Sequence, residues 1–294
     1  MPNIYTYKLG IARCFFALSL LLTLLSSDKN VLFSETNHLN PPDSFLEKCN
    51  LFLVFGYENL HLSYGISIII LLLVILGFHA KFTGILHWWV AFSFYNASII
   101  IDVGDQMTQI FTFLLIPITL FDPRDNHYKN ASLVKKHTEK ISSAFWMVLK
   151  IQAALIFLEN STVKILIFDD WNQGNNFFYW VNHNIFGRDD LFSTALNGLD
   201  KIPFINPAII FVVIIFKLSL FGAIFITGKV IKRRLFIFAV ALYSVVYIYC
   251  GLISILLSMI GVLIIYLLDL KDGSFMYSRK VTSKMITKKC LSES

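Results

Sequence analysis

Charge is scarce in this chain: Asp, Glu, Lys and Arg make up only 15% of 294 residues, against 56% hydrophobic and 15% aromatic residues. So little charge excludes a water-soluble globule, whose surface needs about a quarter of its residues charged. Cysteine is equally sparse. The four thiols, Cys14, Cys49, Cys250 and Cys290, show no metal-ligand spacing, which excludes a zinc module and a disulfide scaffold. Cys49 and Cys250 fall on one side of the topology derived below, which leaves a single bridge between them as a minor alternative. Also missing are a Walker loop, a dinucleotide glycine fingerprint, a His-Glu-x-x-His helix, a nucleophile elbow, any repeat of fixed period and any low-complexity linker.

In their place, long apolar runs recur near Leu9–Leu25, Leu62–Phe78, Ile85–Ile101, Met107–Phe121, Ile141–Val163, Phe204–Thr227, Leu235–Tyr249 and Leu252–Leu268. Most are about the length that crosses a hydrocarbon core of about 30 Å. The fourth and seventh are short enough to be tilted, re-entrant or merged with a neighbour. The expectation is an all-α polytopic membrane bundle of seven or eight transmembrane helices. It forms one transmembrane domain over 1–294, with the first run serving as an uncleaved anchor.

Basic residues test that topology, because Lys and Arg collect on the cytoplasmic side. With eight spans and both termini cytoplasmic, seventeen of the 25 fall inside, five outside and three within spans. Acidic residues follow the opposite bias, clustering in outer loops at about 27–61 and 164–203. The net charge of +6 therefore reads as orientation and contact with anionic lipid, chiefly through a basic tail at about 271–294, and not as nucleic-acid binding.

Any chemistry must come from polar residues in or beside the spans, where each is costly and so a candidate for function. Arg13, one turn inside the first span, and Lys150 are placed to snorkel to headgroups. Lys217, about 11 residues from either end of the sixth span, is too deep for that and needs a buried partner or a wet cavity. Gln152 and Glu159 share one helical face, and Glu159 is a candidate partner for Lys217 or Lys164. The segment Asp102-Val103-Gly104-Asp105-Gln106 reads as a tight outer turn relaxed by Gly104, or as a carboxylate pair lining an outer-facing site. Lys164, at the outer edge before Trp171 and Gly174, reads as a base with a lowered pKa or as an interfacial anchor beside an aromatic belt. His87, Trp88 and Trp89 read as belt residues. No cluster of metal ligands is present.

Several stretches together resemble the sporulation-delaying protein B family. These are Ala12-Arg13, the run Lys81-Phe82-Thr83-Gly84-Ile85-Leu86-His87-Trp88-Trp89, Asp102–Gln106, Thr112 through Pro117 to Asp122-Pro123-Arg124, Ser161-Thr162-Val163 before Trp171, and Gly251–Ser254. The likeness runs in order along nearly the whole chain. It implies a place in a wider group with a transmembrane domain similar to that of vitamin K-dependent gamma-carboxylases (the HTTM domain). It also implies a role in the bacterial inner membrane: acting with a small companion protein to turn a secreted precursor into a mature antimicrobial peptide toxin. In the wider group a lysine before a Trp-x-x-Gly motif serves as a base toward a reduced quinone, which makes Lys164, with Glu159 beside it, the candidate catalytic residue. Asp102, Asp105, Gln106, Trp171, Gly174 and Lys217 are the candidate substrate-binding residues. Around Gly174 the chain reads Gly174-Asn175-Asn176-Phe177-Phe178 where the group has Gly-Thr-Ala and paired tyrosines, so whether a covalent step is catalysed stays open, and no cofactor is assigned. The competing classes are a lysine-based, quinone-linked membrane enzyme and a peptide transporter or immunity protein.

Overall fold

A computed structural model describes residues 4–33, 48–129, 136–166 and 205–268, and every regular element among them is a helix. In chain order these are α1 (Tyr7–Ser26), α2 (Lys29–Leu32), α3 (Leu51–Val54), α4 (Leu60–Ile75), α5 (Ala80–Ala97), α6 (Val103–Leu120), α7 (Lys136–Leu166), α8 (Ile205–Gly222), α9 (Lys229–Cys250) and α10 (Ile253–Leu267). Each of the eight apolar runs coincides with one of the eight long helices. A continuous helix satisfies its own backbone donors and acceptors, as an apolar solvent requires. Among the described residues three helices, Tyr7–Ser26, Val103–Leu120 and His137–Glu159, are long and apolar enough by themselves to cross a membrane. Leu60–Ile75, Phe211–Gly222 and Ile253–Leu267 are apolar but shorter. The first two turns of α9 carry Lys229, Lys232, Arg233 and Arg234.

Glycines with positive φ set two of the sharpest reversals: Gly77 (φ 80°) ends α4 ahead of α5, and Gly251 (φ 69°) closes α9 two residues before α10 begins. Elsewhere glycine serves close approach. A Cβ on Gly84 of α5 would fall 2.8 Å from Thr119 Cβ of α6, and one on Gly261 of α10 would fall 3.2 Å from the Ala12 carbonyl of α1. Small residues at such crossings let backbones approach where no hydrophobic force drives helices together.

α1 is shared by two cores. Its Leu9, Ala12 and Phe16 join residues of α6 to α10, whereas Ala17, Leu20, Leu21 and Leu24 join α2 to α5. α10 runs antiparallel to α1, with Ser254 beside Ser19, and parallel to α6, with Gly104 against Ser254. α5 is antiparallel to α6 and α4. One end of the bundle, the N-end, therefore gathers the starts of α1 and α5, the end of α6 and the loop 121–129. The far end gathers the end of α1 and the starts of α4, α6 and α10.

The connection after α1 is more than an outer loop. Leu32, Phe33, Leu51 and Phe52 are buried, and Phe33 and Phe52 stack at 4.8 Å between Tyr64 and Phe94. Hydrogen bonds hold this segment against α5: Asn50 Nδ2 donates to the Ser93 carbonyl (3.0 Å), Leu51 N to Ser93 Oγ (3.0 Å) and Trp89 Nε1 to the Cys49 carbonyl (2.7 Å). Keeping each phenylalanine from water contributes about 1.5–3 kcal/mol. Cys49 carries a free thiol, so the alternative of a Cys49–Cys250 bridge is not realised.

Candidate functional site

The most concentrated polar structure lies inside the N-end. Arg13 is only 1% exposed, because α1 is covered on several sides by neighbouring helices. Its Nη1 donates to His127 Nδ1 (2.9 Å) and its Nη2 to Thr83 Oγ1 (3.1 Å), while the Thr83 hydroxyl donates back to the Phe78 carbonyl (2.8 Å). The expected snorkelling of Arg13 is corrected here: two neutral acceptors inside the bundle hold the guanidinium. An arginine only donates, so His127 Nδ1 carries the lone pair and its proton sits on Nε2. Burial first, and then the positive Arg13, push the His127 imidazole down to about 2, so it stays neutral at any physiological pH.

The loop after α6 folds around a second guanidinium. Arg124 Nε and Nη2 donate to Asp122 Oδ1 (2.8 Å) and Oδ2 (2.6 Å), a fork that leaves both residues buried. Arg124 Nη1 then reaches the carbonyls of His127 and Lys129, both at 2.7 Å, and the guanidinium lies over the Tyr5 ring at 5.8 Å. Asn126 Nδ2 and His127 N tie the same loop to the end of α4 through the carbonyls of Leu76 and Gly77, both at 3.0 Å. Glycine admits the loop, since a Cβ on Gly10 would sit 2.6 Å from the His127 carbonyl and one on Gly77 2.9 Å from the His127 ring. His87, expected in an aromatic belt, is instead 2% exposed, and its Nε2 has no hydrogen-bond partner among the described residues.

At the far end, Asp102 and Asp105 make a reciprocal cap on α6. Asp105 N donates to Asp102 Oδ1 (2.9 Å) and Asp102 N to Asp105 Oδ2 (3.1 Å), which satisfies two of the donors a helix start leaves open. The Ser254 hydroxyl donates to Asp102 Oδ2, and the Ser254 carbonyl accepts from Ser19 (3.1 Å) and Ser258 (2.7 Å). The cap thereby becomes a joint between α1, α6 and α10. Gly104 does not relax a turn as expected: it lies inside the first turn of α6, where a Cβ would meet the Ser254 carbonyl carbon at 2.4 Å. Asp105 is 5% exposed with Oδ1 unpartnered among the described residues, whereas Gln106 is exposed.

The remaining candidates are dispersed. Glu159 is exposed on α7 and forms no ion pair among the described residues. Lys217 is half-buried on α8. The backbone of Lys164 belongs to α7, but its side chain, like all of Trp171 and Gly174, lies outside the described residues. No group of three or more His, Cys, Asp or Glu side chains converges as a metal site would, among the described residues. The residue that sequence reasoning missed is His127. Its only signal was its place three residues after Asp122-Pro123-Arg124, a spacing with no meaning until the loop folds back on α1.

Comparison with known proteins bears on these segments. No family model matches the chain, and no solved structure does. The uncharacterized protein YitO of Bacillus subtilis (strain 168) is 31% identical over 284 residues, spanning 95% of this chain and 91% of that protein. The sporulation-delaying protein SdpB of the same organism is 30% identical over 261 residues, spanning 88% of this chain and 80% of its own length. Identity at that level along nearly the whole length, in a helical chain with membrane-spanning candidates, shows that the protein belongs to the SdpB-like family.

Proposed function

We propose that this protein is a multi-pass inner-membrane factor for the production of a secreted peptide toxin of the sporulation-delaying type. It would act at the outer face on a precursor, together with a small companion protein. The observation that carries this reading is the 30% identity to SdpB over 88% of the chain, which leaves no large segment for an unrelated activity. All eight long helices are taken to span the membrane, with the N-end of the bundle cytoplasmic and the Asp102–Ser254 joint facing out. The positive-inside bias of the loops supports that orientation. The chain is also placed in the group with carboxylase-like transmembrane domains. Its segment from Lys164 to Gly174 is then the part of the outer face that meets the precursor.

Mass spectrometry of peptides released by producer cells tests the reading, comparing wild type, a strain lacking the protein, and Lys164→Ala with membrane levels confirmed. Loss of the mature peptide without the protein, with a defined unprocessed mass in its place, is the expected result. Unchanged peptide masses and amounts in the strain lacking the protein would sink it. A mass change beyond proteolysis that disappears in Lys164→Ala would identify a covalent step.

A further inference from the structure

The buried charges at the N-end do not balance. Arg13 and Arg124 share a single carboxylate, Asp122, and Arg124 takes both of its oxygens. The donors of Arg13 end on an imidazole nitrogen and a hydroxyl, both neutral. A full positive charge thus sits at 1% exposure with no counter-ion in contact among the described residues. Such a charge is costly unless paired, and a guanidinium does not shed its proton to escape the cost.

A second observation points the same way. His127 Nε2 is an N–H donor, because Nδ1 accepts from Arg13, and among the described residues it has no partner; His87 Nε2 has none either. The two rings are 0% and 2% exposed, and His87 follows Thr83, a partner of Arg13, by one turn on the same face of α5. A leucine at position 87 would be buried without leaving a polar atom unsatisfied, which is the cheaper choice for packing alone. Surplus positive charge and unfilled donors together describe the requirements of an anion with several acceptor oxygens.

We propose that Arg13, His87 and His127 form a binding site for a phosphate-type oxyanion at the N-end of the bundle. The guanidinium supplies the charge, and the Nε2–H groups of both histidines supply directed hydrogen bonds, with His87 in its Nε2–H tautomer. At the surface of the same end the exposed Lys81 and Lys129 outnumber the exposed Asp125 and draw such an anion in. Free phosphate and the headgroup of a phospholipid present the same chemistry. The site is independent of the toxin-related role proposed above.

The test uses the full-length protein in an uncharged maltoside detergent, with thermal unfolding followed against inorganic phosphate and, separately, against short-chain phosphatidylglycerol. Wild type is expected to gain Tm in a saturable way with at least one of them. A response to phosphate alone identifies a free anion, and a response to the lipid alone identifies a headgroup. His87→Leu is the informative variant. Packing alone predicts an unchanged or higher Tm without ligand, whereas loss of one charge-assisted hydrogen bond predicts about tenfold weaker half-saturation. Phosphorus analysis of the purified protein covers tight co-purification: about one phosphorus per chain in wild type, lost in His87→Leu, counts as binding. Flat titrations with no bound phosphorus, or a wild-type response or phosphorus content in His87→Leu, would overturn the proposal.

Discussion

The two ends of the bundle solve different electrostatic problems with similar numbers of polar residues. At the far end, Asp102 and Asp105 cap the helix that carries them, and Ser254 extends the cap to α10. At the N-end, the Arg124–Asp122 pair and Arg13 bring the end of α4, the starts of α1 and α5 and the loop after α6 to one point. The far-end cap is mostly local in sequence. The N-end cluster exists only when four chain segments meet, and it keeps a charge the fold does not neutralise. The difference separates a joint that stabilises a helix from one that fixes the arrangement of helices.

Removing the fork should break that comparison most severely. Asp122→Ala leaves Arg124 buried and unpaired, a loss of about 3–5 kcal/mol. Little folded protein is expected in the membrane fraction, measured by immunoblot and size exclusion in detergent. Next is Gly104→Leu, which drives a side chain into the Ser254 backbone. Forcing α6 from α10 should cost about 1–3 kcal/mol and lower Tm, while Gly65→Ala, with no heavy atom within 4 Å of the added Cβ, should change it little.

Asp102→Ala removes the cap and the partner of Ser254 together, for about 1–2 kcal/mol. Ser254→Ala should cost less, since the cap survives it. If the two variants lower Tm equally, the interhelical bond outweighs the cap and the contrast between the ends shrinks.

Acid sharpens the comparison further. His127 in the fold resists protonation down to about 2, while in the unfolded chain it takes up a proton below about 6.5. The unfolded state then binds more protons across that window, so this group's contribution to stability falls as pH falls from about 6.5 toward 2. The slope is at most about 1.4 kcal/mol per pH unit. Thermal unfolding between pH 7.5 and 5 should show a lower Tm at the acid end, with a shallower dependence in His127→Gln. The smallest expected effects on stability belong to Lys164→Ala and Lys217→Ala. A toxin-production factor loses mature peptide through the first and tolerates the second, and a transporter shows the reverse.

Much of the fold was legible because apolar run length is a local property: each of the eight runs marks a helix, whereas the turn at Gly77 falls inside the run Leu62–Phe78 and had no signal in run length. The site was legible only in pieces. Arg13, Thr83, Gly84, His87, Asp122 and Arg124 all belong to segments that carry the family resemblance, yet spacing alone put Arg13 in the headgroups and His87 in an aromatic belt. Both readings assume that a polar residue near a helix end faces outward. The loop at 121–129, folding back over α1 and α5, removes that option by enclosing the end.

Composition and periodicity thus determined the all-helical membrane class, the helix positions and the scarcity of sites where chemistry is possible. These follow from solvation of each segment by itself. Only the tertiary structure decided that Gly104 and Gly84 are contact points, that the segment after α1 enters the core, and that Arg13 finds Thr83 and His127 inside the N-end beside the Arg124–Asp122 fork. Hydrogen bonds and charge pairing act between atoms a few ångströms apart, and partners 70 or 114 positions distant in the chain, as Thr83 and His127 are from Arg13, acquire that proximity only through packing.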